Sequence, residues 1–344
     1  MAQGIEPVTE TDITPSTTGS WVDVDVSSYV TNAAGVMLVI ESRYIKATYG
    51  VRKNGSTDTL TGELGSNEST WIAIGVDTND IMEVYISTKY MKIYIIGYIP
   101  NEAGVFFTNK IDKSISTTET YTDIDISTDT DADTAKIAFL IIHNPDINYT
   151  YKYKLRENGS TDNLSIRISI KRIAGACISC DTNEIFEGYI ENTYVKFYLV
   201  GYIKTGYAES WANAKDYSTT TTGSWVDTDV STDVPNNSNG AFFVVENTEF
   251  SVTYHGFGAR KNGSSWNVIG YTIGQYGWTA VDINRIFEQY IADTTLVLYI
   301  WGYVKSAPPP PPPVKKSPIS HLDKGPHPKS RATFLGNMRL GLKT

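Results

Sequence analysis

The chain has 344 residues, of which 41% are apolar, 12% aromatic and 19% charged. That length predicts two or three domains of ordinary size, each able to bury a core, and two cysteines cannot supply a disulfide framework. The net charge of −9 joins unlike parts: residues 1–304 hold 21 Lys and Arg against 37 Asp and Glu, whereas residues 305–344 hold 8 against 1. The acidic body would repel phosphates, which argues against nucleic acid as a partner. No run approaches 18 apolar residues, which excludes a membrane-spanning helix. The opening MAQGIEPVTETDITPSTTG has neither the basic nor the apolar region of a secretory leader. The expected product is made in a cytoplasm and does not enter a membrane.

Along the chain, Trp21–Val26 alternates Val and Asp, the period of a half-buried strand. Gly35–Ser42 is mostly apolar and reads as a central strand. Asn54-Gly55 separates two strand-like segments and predicts a type I′ hairpin turn, with positive φ at both residues. Asp77–Asp80 supplies an Asx-type turn, and Met91–Ile99, apolar on both faces, predicts another central strand.

The same series then returns twice. WVDVDVS (Trp21–Ser27) recurs as YTDIDIS (Tyr121–Ser127) and WVDTDVS (Trp225–Ser231). VRKNGSTD (Val51–Asp58) recurs as LRENGSTD (Leu155–Asp162) and ARKNGSS (Ala259–Ser265). VDTNDIMEVYI (Val76–Ile86) and YIIGYI (Tyr94–Ile99) each recur twice as well, every time 100–104 residues on. A period of that length matches a whole small domain and not a solenoid unit. The fold expected is all-β: three tandem antiparallel β-sandwich domains, jelly-roll or immunoglobulin-like, over residues 1–103, 104–207 and 208–304. Residues 305–344 form a separate Pro-rich basic tail. The modules are expected to project in a row.

The strongest recurrent candidates for contact with a partner are the surface loops carrying Arg52 and Asn54, Arg156 and Asn158, and Arg260 and Asn262. They could grip a carboxylate or a sugar; the plainer alternative is a turn whose Arg is paired across the strands. The pairs Asp23/Asp25, Asp123/Asp125 and Asp227/Asp229 could offer oxygen ligands to Ca²⁺, but acidic residues on a strand's solvent face also prevent edge pairing. The stripe Tyr94, Ile96, Tyr98, with Tyr198/Tyr202 and Tyr299/Trp301/Tyr303, reads as a stacking platform or as core. Gly97, Gly201 and Gly302 in the same strands hint at a bulge or a close approach. Cys177 and Cys180 have C-x-x-C spacing without a second pair, which favours packing over zinc. No histidine recurs beside a Ser, Cys or carboxylate, so no catalytic residue, metal or cofactor is expected.

The tail opens with Pro308–Pro313, a polyproline II spacer of roughly 19 Å, and closes with Phe334, Leu335, Met338, Arg339, Leu340 and Leu342. A spacer followed by a cationic, partly apolar end suggests a docking segment for an acidic partner.

The combination RKNGSTD, VDTNDIMEVYI and YIIGYI resembles a β-domain repeat of tailed-virus and phage-derived structural proteins, over residues 16–304. The resemblance implies a virion protein, a capsid decoration or fibre subunit drawn from an intracellular pool, multicopy or homo-oligomeric and bound to a capsid or other virion protein. The second repeat departs from the pattern with Tyr121 for Trp and Glu157 for Lys, which implies different neighbours. The alternatives are a carbohydrate-binding adhesin, acting on a host-surface glycan, and a subunit of an extracellular filament, either located outside the cell or at its surface.

Overall fold

Alternating and wholly apolar runs of β-branched and aromatic residues make strands throughout, and the described residues contain no helix. The structure is a computed structural model and describes residues 3–130, 134–249 and 253–305. The first repeat forms β1 (Glu6–Asp12), β2 (Trp21–Asp25), β3 (Ala33–Ser42), β4 (Ala47–Lys53), β5 (Gly62–Leu64), β6 (Ser69–Gly75), β7 (Ile81–Ile86) and β8 (Met91–Pro100). The second forms β9 (Gly104–Asp112), β10 (Thr122–Asp125), β11 (Ala135–Asn144), β12 (Tyr151–Glu157), β13 (Ile166–Ile168), β14 (Arg172–Ser179), β15 (Ile185–Ile190) and β16 (Lys196–Lys204). The third forms β17 (Ala208–Asp216), β18 (Trp225–Asp229), β19 (Gly240–Asn247), β20 (His255–Lys261), β21 (Gly270–Thr272), β22 (Gly274–Ala280), β23 (Ile286–Ile291) and β24 (Leu296–Val304).

These strands make six four-stranded antiparallel sheets, two from each repeat. The first repeat gives β1-β8-β3-β6 and β2-β7-β4-β5, and the other two reproduce both orders. β3 and β8 are interior strands, as their two-sided apolar runs predict, and every residue of β3 is buried. β7 buries Met82, Val84 and Ile86 and turns the residues between them outward.

The glycines near the end of β8, β16 and β24 mark bulges, one of the two readings the sequence allowed. Met37 and Leu38 face Gly97 and Ile95, so Ile96 is left without a partner; Val200 and Trp301 are left out in the same way. A bulge re-aims its extra side chain, and these three point to the seams described below.

The Asn-Gly turns differ from expectation. Gly55, Gly159 and Gly263 have φ of 79°, 81° and 76°, but the asparagines before them are not in the left-handed region. With Ser56 N donating to Lys53 O at 3.1 Å, the pattern is that of a type II turn. The reason is the asparagine side chain: Asn54 Nδ2 donates to Asp77 Oδ2 at 2.7 Å, and Asn158 and Asn262 do the same to Asp181 and Asp282. The turn is fixed by a neighbouring loop and not by hairpin twist.

The three repeats are also not strung in a row. They form one compact unit, in which β6, β14 and β22 pack against one another at a common centre. There Trp71 meets Phe243 edge-on at 5.6 Å, and a Cβ on Gly175 would lie 2.2 Å from Trp71 O. A row would separate the first and third repeats. Instead Gly4 N donates to Lys305 O at 3.3 Å and Asn239 Nδ2 to Ile5 O at 2.8 Å, so the chain closes a ring.

Candidate functional site

Three seams join the repeats, and each is built on one of the Arg-x-Asn-Gly-Ser loops. Arg52 forks onto Glu83 (2.7 and 3.0 Å), lies 4.3 Å over the Trp21 ring, and donates to the Asp58 carbonyl. Arg156 repeats this with Glu187 and Tyr121, and Arg260 with Glu288 and Trp225. Their side chains are only 13–19% exposed. Bidentate pairing and aromatic stacking together fix the guanidinium. Each loop is therefore held rigidly and presents its following residues to the next repeat.

At the first seam Asn109 Oδ1 accepts from Ser56 Oγ and from Thr57 N, both at 2.9 Å. Lys110 N and Nζ donate to Asp58 at 2.8 and 2.7 Å. The second seam copies it: Asn213 Oδ1 accepts from Ser160 Oγ (2.9 Å) and Thr161 N (2.8 Å), and Ala214 N donates to Asp162. Burial raises the Asp162 carboxyl against the lowering pull of the Ala214 N–H, Ser160 and Arg156. Glu157, the departure noted in the sequence, accepts from Ser210 Oγ at 2.8 Å across this seam. Its counterpart Lys53 instead donates to Phe106 O at 2.9 Å.

The third seam, from the Ser264 loop back to β1, is different. Pro7 and Thr11 of β1 face Gly97 and Ile95, leaving Val8–Glu10 as a three-residue bulge. In β9 and β17 the corresponding bulges have four residues, Phe107–Lys110 and Trp211–Ala214. The first strand of the ring therefore lacks both the aromatic residue and the asparagine. Ser264 Oγ donates to Glu10 Oε1 at 3.2 Å instead. A cavity of about 470 Å³ lies here, lined by Val8, Glu10, Ile96, Ser264, Trp266 and Trp278 among others. The equivalent spaces at the first and second seams are about 20 Å³ each.

The remaining expected features fall into place around the seams. Asp25, Asp125 and Asp229 accept from the backbone N–H of Ser27, Ser127 and Ser231 at 2.8–2.9 Å, and the Ser side chains, then these backbone bonds, lower all three carboxyls. Tyr94, Ile96, Tyr202 and Trp301 are buried, as core residues. Tyr94 Oη accepts from Arg43 at 2.6 Å, and Trp301 stacks on Phe242 at 4.9 Å. Cys177 and Cys180 are free and buried, with Cys177 Sγ donating to Gly277 O at 3.6 Å; burial pushes both thiols up. His143 is pushed down to about 4 by burial and then by Lys110.

The tail residues Phe334, Leu335, Met338, Arg339, Leu340 and Leu342 lie outside the described residues. Sequence reasoning missed the residues that make the seams: Phe107 and Asn109, Trp211 and Asn213. Their shared pattern, an aromatic residue followed two positions on by Asn, is present in the sequence and absent at Pro7–Thr9. It lies outside the four motifs that defined the repeat.

No protein-family model matches the chain, and no curated protein does. Among solved structures, a chain of Sulfolobus Turreted Icosahedral Virus aligns with 86% of this chain and 89% of its own, at 12% identity and a TM-score of 0.23. A chain from an archaeal virus, described by its triple jelly roll fold and turret assembly, covers 88% and 90% at 12% identity and 0.22. A chain of the lipid-containing bacteriophage PM2 covers 88% and 87% at 7% identity and 0.15. All three are viral, but at these scores the likenesses carry no argument.

Proposed function

We propose that the chain is a non-enzymatic structural protein of a virion, three jelly rolls fused into a single-chain pseudo-trimer that serves as a capsid decoration. The observation that carries this is the ring itself. Within each repeat the strand orders 1-8-3-6 and 2-7-4-5 are those of two facing sheets of an eight-stranded jelly roll, an architecture common in viral shells. The recurrent polar residues, from Arg52 to Asn262, are engaged in holding loops and seams. A fibre would use modules in series; a closed ring is a block with three similar sides, suited to covering a site of near threefold symmetry.

Exposed aromatics in corresponding loops of the first two repeats give this block contact surfaces. Tyr44 meets Tyr90 edge-on at 6.0 Å, and Tyr151 stacks on Tyr194 at 6.2 Å beside the exposed Tyr149. Apolar surface left open in this way marks interaction sites. The basic tail is the anchor in this reading: the Pro308–Pro313 spacer carries Phe334–Leu342 to an acidic capsid face.

The test is reattachment to native particles stripped of the protein. Full-length chain is expected to restore regular surface density in electron micrographs, and a chain lacking residues 306–344 is expected to stay in solution while remaining folded. Equal occupancy by both chains would remove the tail's role. A protein found on no particle would remove the virion reading.

A further inference from the structure

The three seams share one floor. Val51, Arg52 and Ile74 line the first, Leu155, Arg156 and Ile178 the second, and Ala259, Arg260 and Thr279 the third. In the first two, the next repeat's bulge covers that floor, Phe107 or Trp211 filling the space and Asn109 or Asn213 bonding the serine loop. At the third seam the floor is present, but the covering bulge is one residue shorter and carries neither the aromatic residue nor the asparagine. Thr57 and Thr161, whose backbone N–H groups hold the asparagines, correspond to Ser265. Trp266 and Trp278 line the open cavity's walls with their rings.

We infer that the third seam is a docking site for an extended peptide segment of another protein, one carrying an aromatic residue followed two positions later by Asn. The two occupied seams show what this floor accepts. An aromatic ring entering between Trp266 and Trp278 would remove apolar surface from water and meet ring edges and faces. The asparagine oxygen would accept from the Ser265 N–H and, in place of Glu10 Oε1, from Ser264 Oγ, as in the other seams. The volume of about 470 Å³ lies within the range of about 300–1,000 Å³ seen for ligand pockets and exceeds a single side chain. The chain's own tail offers Phe334 with Asn337 three positions on, the wrong spacing, and its Phe107-x-Asn109 and Trp211-x-Asn213 segments are engaged in its own seams, so the occupant is a different protein. This inference rests on the seams and is independent of the virion reading.

The probes are two fluorescein-labelled peptides with the chain's own strand sequences, GVFFTNKID (Gly104–Asp112) and AESWANAKD (Ala208–Asp216), titrated into the full-length protein and followed by anisotropy. Saturable binding is expected, weakened about tenfold or more when Ala replaces the peptide's aromatic at the Phe107 or Trp211 position or its Asn. Replacing Val8–Glu10 with Trp-Ala-Asn-Ala, which supplies the missing cover in cis, is expected to abolish binding. Should that variant not fold, Ser264→Ala tests the same contact and is expected to weaken binding several-fold. No saturation by either peptide at about millimolar concentration, or binding indifferent to these changes, would overturn the inference. So would a neutral oligosaccharide that saturates the cavity while neither peptide does.

Discussion

The first and second seams and the third join the same surfaces with different means. At the first two, an aromatic residue fills the gap, an asparagine bonds two groups of a rigid loop, and about 20 Å³ is left over. At the third, one residue fewer in the β1 bulge leaves about 470 Å³, and the serine loop is held by one serine–glutamate bond. The first two seams also have the chain running across them, so their repeats stay neighbours even when a contact opens. The third is closed by non-covalent contacts alone, among them the Gly4–Lys305 and Asn239–Ile5 hydrogen bonds. The ring thus fills its seams most closely where the chain itself crosses and leaves the larger gap at the joint closed by non-covalent contacts.

The largest effect on this contrast is expected from a buried ion pair between the first two repeats. Arg172 pairs with Glu68 and donates to Ser69 O at 2.9 Å, with side chains 5% and 11% exposed. Arg172→Ala strands the Glu68 charge and is expected to cost about 3–5 kcal/mol in denaturant unfolding, much of it recovered by the double change to Met and Leu. Trp211→Ala should cost about 2 kcal/mol, since the indole is partly exposed, and should open in the second seam a cavity like that of the third. Asn109→Ala and Asn213→Ala should each cost about 1–2 kcal/mol by leaving a loop N–H unbonded. Thr9→Ala, at the aligned place in the third seam, should stay within about 0.5 kcal/mol.

A pH dependence of stability is also expected from His143, beside the first seam. His143 titrates near 4 in the fold, lowered by burial and then by Lys110, against 6.5 when unfolded. Between those values the unfolded chain binds the extra proton, so stability is complete above about 6.5 and falls as the pH drops towards 4. His143→Gln should remove that slope from thermal melts between pH 4 and 7.

Much of the fold can be read from local pattern. The Val/Asp alternation at Trp21–Val26, the apolar runs of β3 and β8 and the glycines at the bulges all express short-range sterics and burial. The turn type at Asn54-Gly55 could not be read that way, because Asp77, 23 residues away, takes the asparagine side chain. Ring closure was hidden for the same reason. The Asn109 and Ser56 partners are 53 residues apart, and Glu10 and Ser264 are 254 apart. The Arg52, Arg156 and Arg260 pairings were legible as one of two readings, since a strand neighbour with a carboxylate lies in the recurrent motif. That these loops also clamp the next repeat depends on tertiary placement alone.

Small-angle X-ray scattering of residues 1–305 tests the ring most directly. Three repeats packed around one centre should give a radius of gyration of about 19 Å, the value for a single compact body of that length. Modules in a row would give a value roughly half as large again, and that result would contradict the ring.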